Sequence, residues 1–316
     1  MEKNRNESLS VNELIQKKKR GRSGGQLVEK LVPILLLICG IISIFTTVGI
    51  VFTLLLETFT FFSRVPFIEF ITGKEWLPFY SGEDASYGIW PLIAGTLLIT
   101  VIAMIVAVPT GIASAIYLSE YASERVRKLI KPVLEVLAGI PTIVYGFFAL
   151  TFVTPFLRSF IDGVSIYNAL SAGIVVGIMI IPMIASLSED AMSSVPNSIR
   201  EGAYALGATR FEVAVKVVLP AAISGIVASI VLGISRAIGE TMIVSVAAGS
   251  SPRATLDPTE SIQTMTAYIV QVSLGDAGYG STIYYSIYAV GMTLFVFTLL
   301  MNLLAQYVSR RFREEY

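Results

Sequence analysis

Six stretches of the chain, at about residues 31–62, 90–118, 132–157, 167–187, 218–249 and 281–308, are apolar over ~20 residues or more, the length a helix needs to cross a bilayer. No water reaches the backbone in hydrocarbon, so each segment must satisfy its own N–H and C=O groups, as a helix does. Composition agrees. Of the 316 residues 54% are hydrophobic and 15% charged, with a mean hydropathy of +0.73, far from soluble usage. The expectation is an all-α membrane protein, one bundle of six transmembrane helices. The first run is much longer than the core of a cleavable signal peptide, so it is expected to stay in the membrane. There is no His and one Cys, Cys39, which excludes His catalysis, His or thiolate metal ligation and a disulfide. No catalytic residue and no metal site is expected.

The net charge of zero conceals an asymmetry. With the N-terminus placed in the cytoplasm, 18 of the 23 Lys and Arg fall inside, four outside and Arg236 within a span. That bias puts both termini in the cytoplasm. The implied organisation is a basic cytoplasmic tail at 1–27, a first helix with an external loop at 28–89, a core at 90–308 and a C-terminal tail at 309–316. The tail's KKKRGRSGGQ block serves as a topology anchor in contact with the lipid bilayer, and no nucleic-acid partner is expected.

Residues 200–220, REGAYALGATRFEVAVKVVLP, separate two of the spans. Helix formers from Glu201 to Leu206, a turn at Gly207 and a resumed helical pattern from Ala208 to Lys216 predict a helix, a turn and a second helix at the membrane face. The small residues Gly202, Ala203 and Gly207 let another surface approach the backbone closely. A plain surface hairpin would fit these local features equally well. However, Glu201-Gly202-Ala203, Gly207, nine residues, then Val217, Val218, Leu219 and Pro220 resemble the coupling-loop signature of ABC importer permeases, E-A-A-x-x-x-G-x9-I-x-L-P. Gly202 stands where the signature has Ala, and Val217 where it has Ile. The resemblance implies that Glu201, Gly202, Ala203, Gly207, Leu219 and Pro220 couple the chain to an ATPase.

The chain contains no G-x-x-x-x-G-K-S/T phosphate cradle, so P-loop ATP hydrolysis must reside in a partner. The external connections, about 63–89, 158–166 and 250–280, are too short for a solute-binding domain of about 100 residues.

Within the fifth span, SRAIGETM sets Arg236 and Glu240 four residues apart, on one helical face near the middle of the span. Charges at that depth belong in the bundle interior or a watery path. They are either a structural ion pair or a substrate-path feature in which Arg236 attracts an anion. YGIWPLIAGTLL at 87–98, LAGIPTIVYGFF at 137–148 and SRAIGETMIVSVAAG at 235–249 resemble the phosphate-specific ABC importer permeases. The first, preceded by EFITGKEWLPF, is similar to their PstC-type subunit. The resemblance implies a type I ABC importer permease fold, inorganic phosphate as substrate and a bacterial or archaeal cell membrane. It also implies a PstA-type second permease, two ATP-binding subunits that use ATP and Mg, and an external phosphate-binding protein. In that family the matching charges, here Arg236 and Glu240, are implicated in phosphate passage.

Pro109, Gly111, Gly139 and Pro141 are hinge candidates, or else static kinks, because each weakens the local helix. A short external helix is expected over about 260–272, ended by Gly275. The alternatives kept open are a permease for molybdate or sulfate and, from another class, an ion-coupled secondary transporter with Glu240 as its titrating group. A channel or an intramembrane hydrolase is a weaker fit.

Overall fold

The computed structural model describes residues 23–80, 82–275 and 277–311. Residues 1–22 of the basic tail and 312–316 of the C-terminal tail lie outside these. The chain falls into two units, the first ending at Leu56 and the second starting at Glu57. In the first, α1 (Ser23–Phe62) is helical throughout, Pro33 included. Its side chains from Leu31 to Leu56 are almost all exposed, as suits a helix surrounded by lipid.

In the second unit, which begins within α1 at Glu57, residues 57–89 pack with the core. α2 (Phe67–Thr72) leads to a two-residue ladder in which β1 (Trp76–Leu77) pairs antiparallel with β2 (Ser86–Tyr87), Trp76 opposite Tyr87. Phe61, Phe70, Trp76 and Tyr87 meet edge to face, a favoured aromatic geometry. The expected external loop is therefore a small folded element with its own aromatic core.

The centre of the bundle is the contact between α3 (Trp90–Ile116), extended by a π turn at Tyr117–Tyr121, and α7 (Ala169–Ser193). Glycines let these backbones approach. A Cβ at Gly177 would lie 2.7 Å from the Ala103 carbonyl oxygen, one at Gly173 2.7 Å from Ile102 Cβ, and one at Gly111 2.8 Å from Ile184 Cγ2. In a membrane, where lipid tails are as apolar as Leu, such close packing drives association. Gly173 and Gly177 form a small-x-x-x-small pair that the sequence displayed. Gly111 is accordingly a packing residue. Pro109 sits in an uninterrupted α3.

Among the described residues four helices are long and apolar enough to span a membrane, or six if each of two bent pairs counts as one span. The bent pairs correct two expectations. The span expected at 132–157, with its kink or hinge at Gly139 and Pro141, starts earlier and is sharply bent: α4 (Glu124–Ala138), an amphipathic helix, is followed after an 86° bend by α5 (Thr142–Phe148), a π turn and α6 (Thr154–Arg158). Gly139 and Pro141 occupy the bend. A residue before proline avoids the α region, so the first helix cannot continue through Ile140 and ends at Ala138, while Pro141 is the N-cap of the next, where its missing N–H is harmless.

The run at 218–249 is also divided. α9 (Arg210–Val213), a π turn and α10 (Leu219–Ala221) bend by 73° into α11 (Ile223–Ile238), and after a break comes α12 (Met242–Ala247). The short helix expected at 260–272 is α13 (Met265–Leu274), shifted because Thr264 caps it by accepting from Ala267 N–H at 3.1 Å. The last helix is α14 (Thr282–Arg311).

Candidate functional site

Two regions carry the candidate residues. The first is the segment between α7 and α10, containing α8 (Asn197–Ala205). Gly207 adopts φ +85°, and the Gly207 and Ala208 N–H groups donate to the carbonyls of Tyr204 at 2.9 Å and Ala203 at 3.2 Å. This is a Schellman end, which favours glycine at its left-handed position. α9 then starts in a capping box. Thr209 Oγ1 accepts from Glu212 N–H at 3.3 Å and Glu212 Oε2 accepts from Thr209 N–H at 3.1 Å. The T-x-x-E signal was legible in TRFE.

The six coupling candidates divide by exposure. Glu201, Gly202, Gly207 and Pro220 are exposed, whereas Ala203 and Leu219 are half-buried and pack on a cluster that includes Ala115, Met192, Val213 and Val218. Around the turn, Leu206 is 91% and Phe211 66% exposed. The loop thus offers an apolar knob above a packed base.

Sequence reasoning missed what holds that base. Arg200 reaches back from α8, with Nη2 donating to Met192 O at 2.7 Å and pairing with Glu120 Oε1 at 3.2 Å, and Nη1 donating to Val195 O at 2.5 Å. A second cluster ties α4 to α7. Glu189, fully buried, pairs with Arg127 and with Lys131, the latter at 2.5 Å, and accepts from Ser193 Oγ at 3.0 Å. A carboxylate buried this deeply persists only when paired. The ions join residues 80 and about 60 positions apart in sequence, so no local pattern announced them.

The second region is the break between α11 and α12, and here the expected pair is corrected. α11 ends at Ile238, so Arg236 and Glu240 do not share one continuous helix. Glu240 is buried and caps α12, its Oε1 accepting from Met242 N–H at 3.0 Å and Ile243 N–H at 3.2 Å. Thr266 Oγ1 donates to the Glu240 carbonyl at 2.6 Å. Arg236 is exposed, and its only described side-chain contact is Nη2 to Met179 Sδ at 3.9 Å. No ion pair joins it to Glu240 among the described residues. Each charge instead sits at a helix end of complementary sign: the carboxylate at an N-terminus, the guanidinium in a last turn. The expected structural ion pair is therefore not formed among the described residues.

A bundle of bent apolar spans with a two-helix knob is the architecture of a multi-pass membrane protein, and sequence and structural likeness to known proteins assigns it to the ABC importer permeases of the type I fold. The chain belongs to the family described as binding-protein-dependent transport system inner membrane component, whose model matches residues 107–314. It is 36% identical over 310 residues to the probable ABC transporter permease protein YqgH of Bacillus subtilis, covering 98% of each chain. It is 34% identical over 264 residues to the phosphate transport system permease protein PstC of Mesorhizobium japonicum, covering 77% of this chain and 78% of that one. A probable PstC of Methanocaldococcus jannaschii is 34% identical over 292 residues, 84% and 90% of the two chains. Among solved structures, the fold resembles a bacterial ABC transporter that imports alginate, with a TM-score of 0.55, 17% identity and coverage of 84% and 96%. It also resembles the inward-facing MetNI methionine ABC transporter, with a TM-score of 0.53, 18% identity and coverage of 72% and 95%.

Proposed function

We propose that the chain is the PstC-type half of the membrane pathway in an ATP-driven importer of inorganic phosphate. The observation that carries this reading is the uncompensated Arg236 beside the Gly239 break. In poorly screened surroundings a lone guanidinium attracts an anion strongly. The PstC relatives support phosphate as that anion. A PstA-type permease would supply the other half, two ATP-binding subunits would use ATP and Mg, and an external binding protein would deliver phosphate. On this reading both termini and the knob at Gly207 face the cytoplasm, where the exposed Leu206 and Phe211 seat in an ATPase groove. The bend at Gly139–Pro141 is a flexing point between outward- and inward-facing states. Glu240 positions α12 and does not hold Arg236.

Radiolabelled phosphate uptake, normalised to assembled complex, tests the proposal. Arg236→Gln should nearly abolish uptake with assembly preserved, Arg236→Lys should retain part of it, and Arg236→Gln with Glu240→Gln should stay inactive. Near wild-type transport by the assembled double variant would refute the role of Arg236. Uptake of molybdate or sulfate in place of phosphate would reassign the substrate. Loss of uptake on collapsing the proton gradient at constant ATP would favour an ion-coupled carrier.

A further inference from the structure

A cavity of about 310 Å³ opens between the segment at 76–80 and the start of the segment that follows α12, at the lower end of small-ligand sites, roughly 300–1,000 Å³. Its polar lining consists of groups able to donate hydrogen bonds. Arg253 is exposed and makes no side-chain hydrogen bond or ion pair among the described residues. Ser250 and Ser251 also line it. Gln263, buried, donates from Nε2 to Gln271 Oε1 at 2.5 Å, which leaves the Gln271 –NH2 without an acceptor among the described residues. Trp76 is 1% exposed, and its buried indole N–H has no partner among the described residues, an uncommon state for a buried donor. No described carboxylate lines the cavity.

The Arg253 guanidinium only donates and carries a positive charge that no described lining carboxylate opposes, so the site suits an anion that accepts. The backbone fixes the arrangement. Gly249, at φ +100°, turns the chain where a Cβ would collide with Ser261, and Ile262 N–H donates to Ala248 O at 3.1 Å across the base of the segment. The cavity begins three residues after α12, a helix about 9 Å long at 1.5 Å per residue, and Glu240 with Arg236 precedes the other end of that helix.

We propose that this cavity binds a free tetrahedral oxyanion, with Arg253 as counter-charge and Ser250 and Ser251 as donors, as a waiting site ahead of Arg236. The identity of the anion as phosphate rests on the function proposed above; the site itself rests on its donors. The waiting site would hold an anion against escape before it passes α12.

Trp76 reports directly, because the chain has only two tryptophans, Trp76 and Trp90. In the full chain carrying Trp90→Phe, reconstituted in phosphatidylcholine nanodiscs, inorganic phosphate at constant ionic strength should change Trp76 emission saturably. Arg253→Gln should weaken half-saturation about tenfold or more, the loss of a charge-assisted hydrogen bond. Lys74→Gln, a nearby charge outside the cavity, should leave it unchanged. The same titration with Trp90 retained guards against a folding defect in the reporter. No saturable change, or one indifferent to Arg253→Gln, would overturn the proposal. A response that requires phosphatidylglycerol and ignores added phosphate would also overturn it, since the site would then bind a lipid headgroup. Failure of the phosphate reading looks different: sulfate or molybdate saturates the Arg253-dependent signal and phosphate does not.

Discussion

Arg200 Nη2 pairs with Glu120 Oε1 at 3.2 Å, joining the helix that carries the exposed Gly207 turn to the π turn that ends α3. The Glu120 side chain is 5% exposed and that of Arg200 14%. Motion of the knob must therefore pass into α3 through this contact or break it.

Removing Arg200 strands a buried carboxylate, which typically costs about 3–5 kcal/mol. Arg200→Ala should lower the apparent melting temperature of the detergent-solubilised chain by several degrees and reduce uptake further than stability explains. Arg200→Gln with Glu120→Gln should recover most of the melting temperature. Failure of the double variant to recover would mean that the Met192 and Val195 carbonyls hold Arg200, with the ion pair secondary.

The two glycines of the coupling motif should respond oppositely to alanine. At Gly207, φ +85° imposes about 1–2 kcal/mol on any L side chain. At Gly202, inside α8, a Cβ meets nothing within 4 Å, and Ala gains roughly 0.5–1 kcal/mol of helix stability. Hydrogen exchange over 197–208 should rise in Gly207→Ala and fall in Gly202→Ala. Gly207→Trp should in addition block close approach of the proposed ATPase, read as lost co-purification with the chain still inserted.

The α3–α7 contact predicts intolerance at Gly177. Gly177→Leu would drive its side chain into the Ala103 carbonyl, which lies 2.7 Å from a Cβ at that position. Backbone cannot yield as a flexible side chain can, so the helices must separate. Cysteine pairs engineered across the two helices should crosslink in the wild-type background and fail in Gly177→Leu; retained crosslinking would show that the bundle adapts.

A pH effect should appear in the segment at 257–260. Hydrogen bonds from Thr259, chiefly its hydroxyl at 2.6 Å and then its backbone N–H at 2.8 Å, hold the Asp257 carboxyl below its ordinary pKa of 3.8. A depressed carboxylate contributes stability that is present above the unfolded pKa and lost as pH falls through the folded one. The segment matters because the carbonyls of Pro258 and Glu260 accept from the Leu170 and Ala169 N–H groups at the start of α7, and that of Thr259 from Ser165 N–H just before it. Exchange at Ser165, Ala169 and Leu170, corrected for intrinsic rates, should stay constant from pH 7 to 5 and accelerate only below the ordinary carboxylate range. Asp257→Ala should accelerate it from pH 7 to 5, with the difference from wild type shrinking below the ordinary carboxylate range.

The sequence by itself determined what depends on neighbours along the chain. The apolar run of α3 had to be a helix because lipid offers its backbone no other partner, and the turn at Gly207 followed because a Schellman end asks only for a left-handed residue in place. The capping box at Thr209 is local in the same way, although it went unread, whereas the close approach of Gly173 and Gly177 to Ile102 and Ala103 needed the packed bundle. Tertiary structure alone decided what depends on residues far apart. The spacing of Arg236 and Glu240 suggested one helical face, but the helix ends at Ile238, where Glu240 turns to cap α12 and Thr266 binds its carbonyl. Glu189 sits in an apolar run and draws its cations from α4, which bends 86° at Gly139–Pro141 instead of continuing straight. Trp76 and Arg253 meet at one cavity across 177 positions of sequence. Local periodicity cannot encode such pairings, because burial and ion pairing are settled by which helices pack together, and that choice is made by the whole bundle at once.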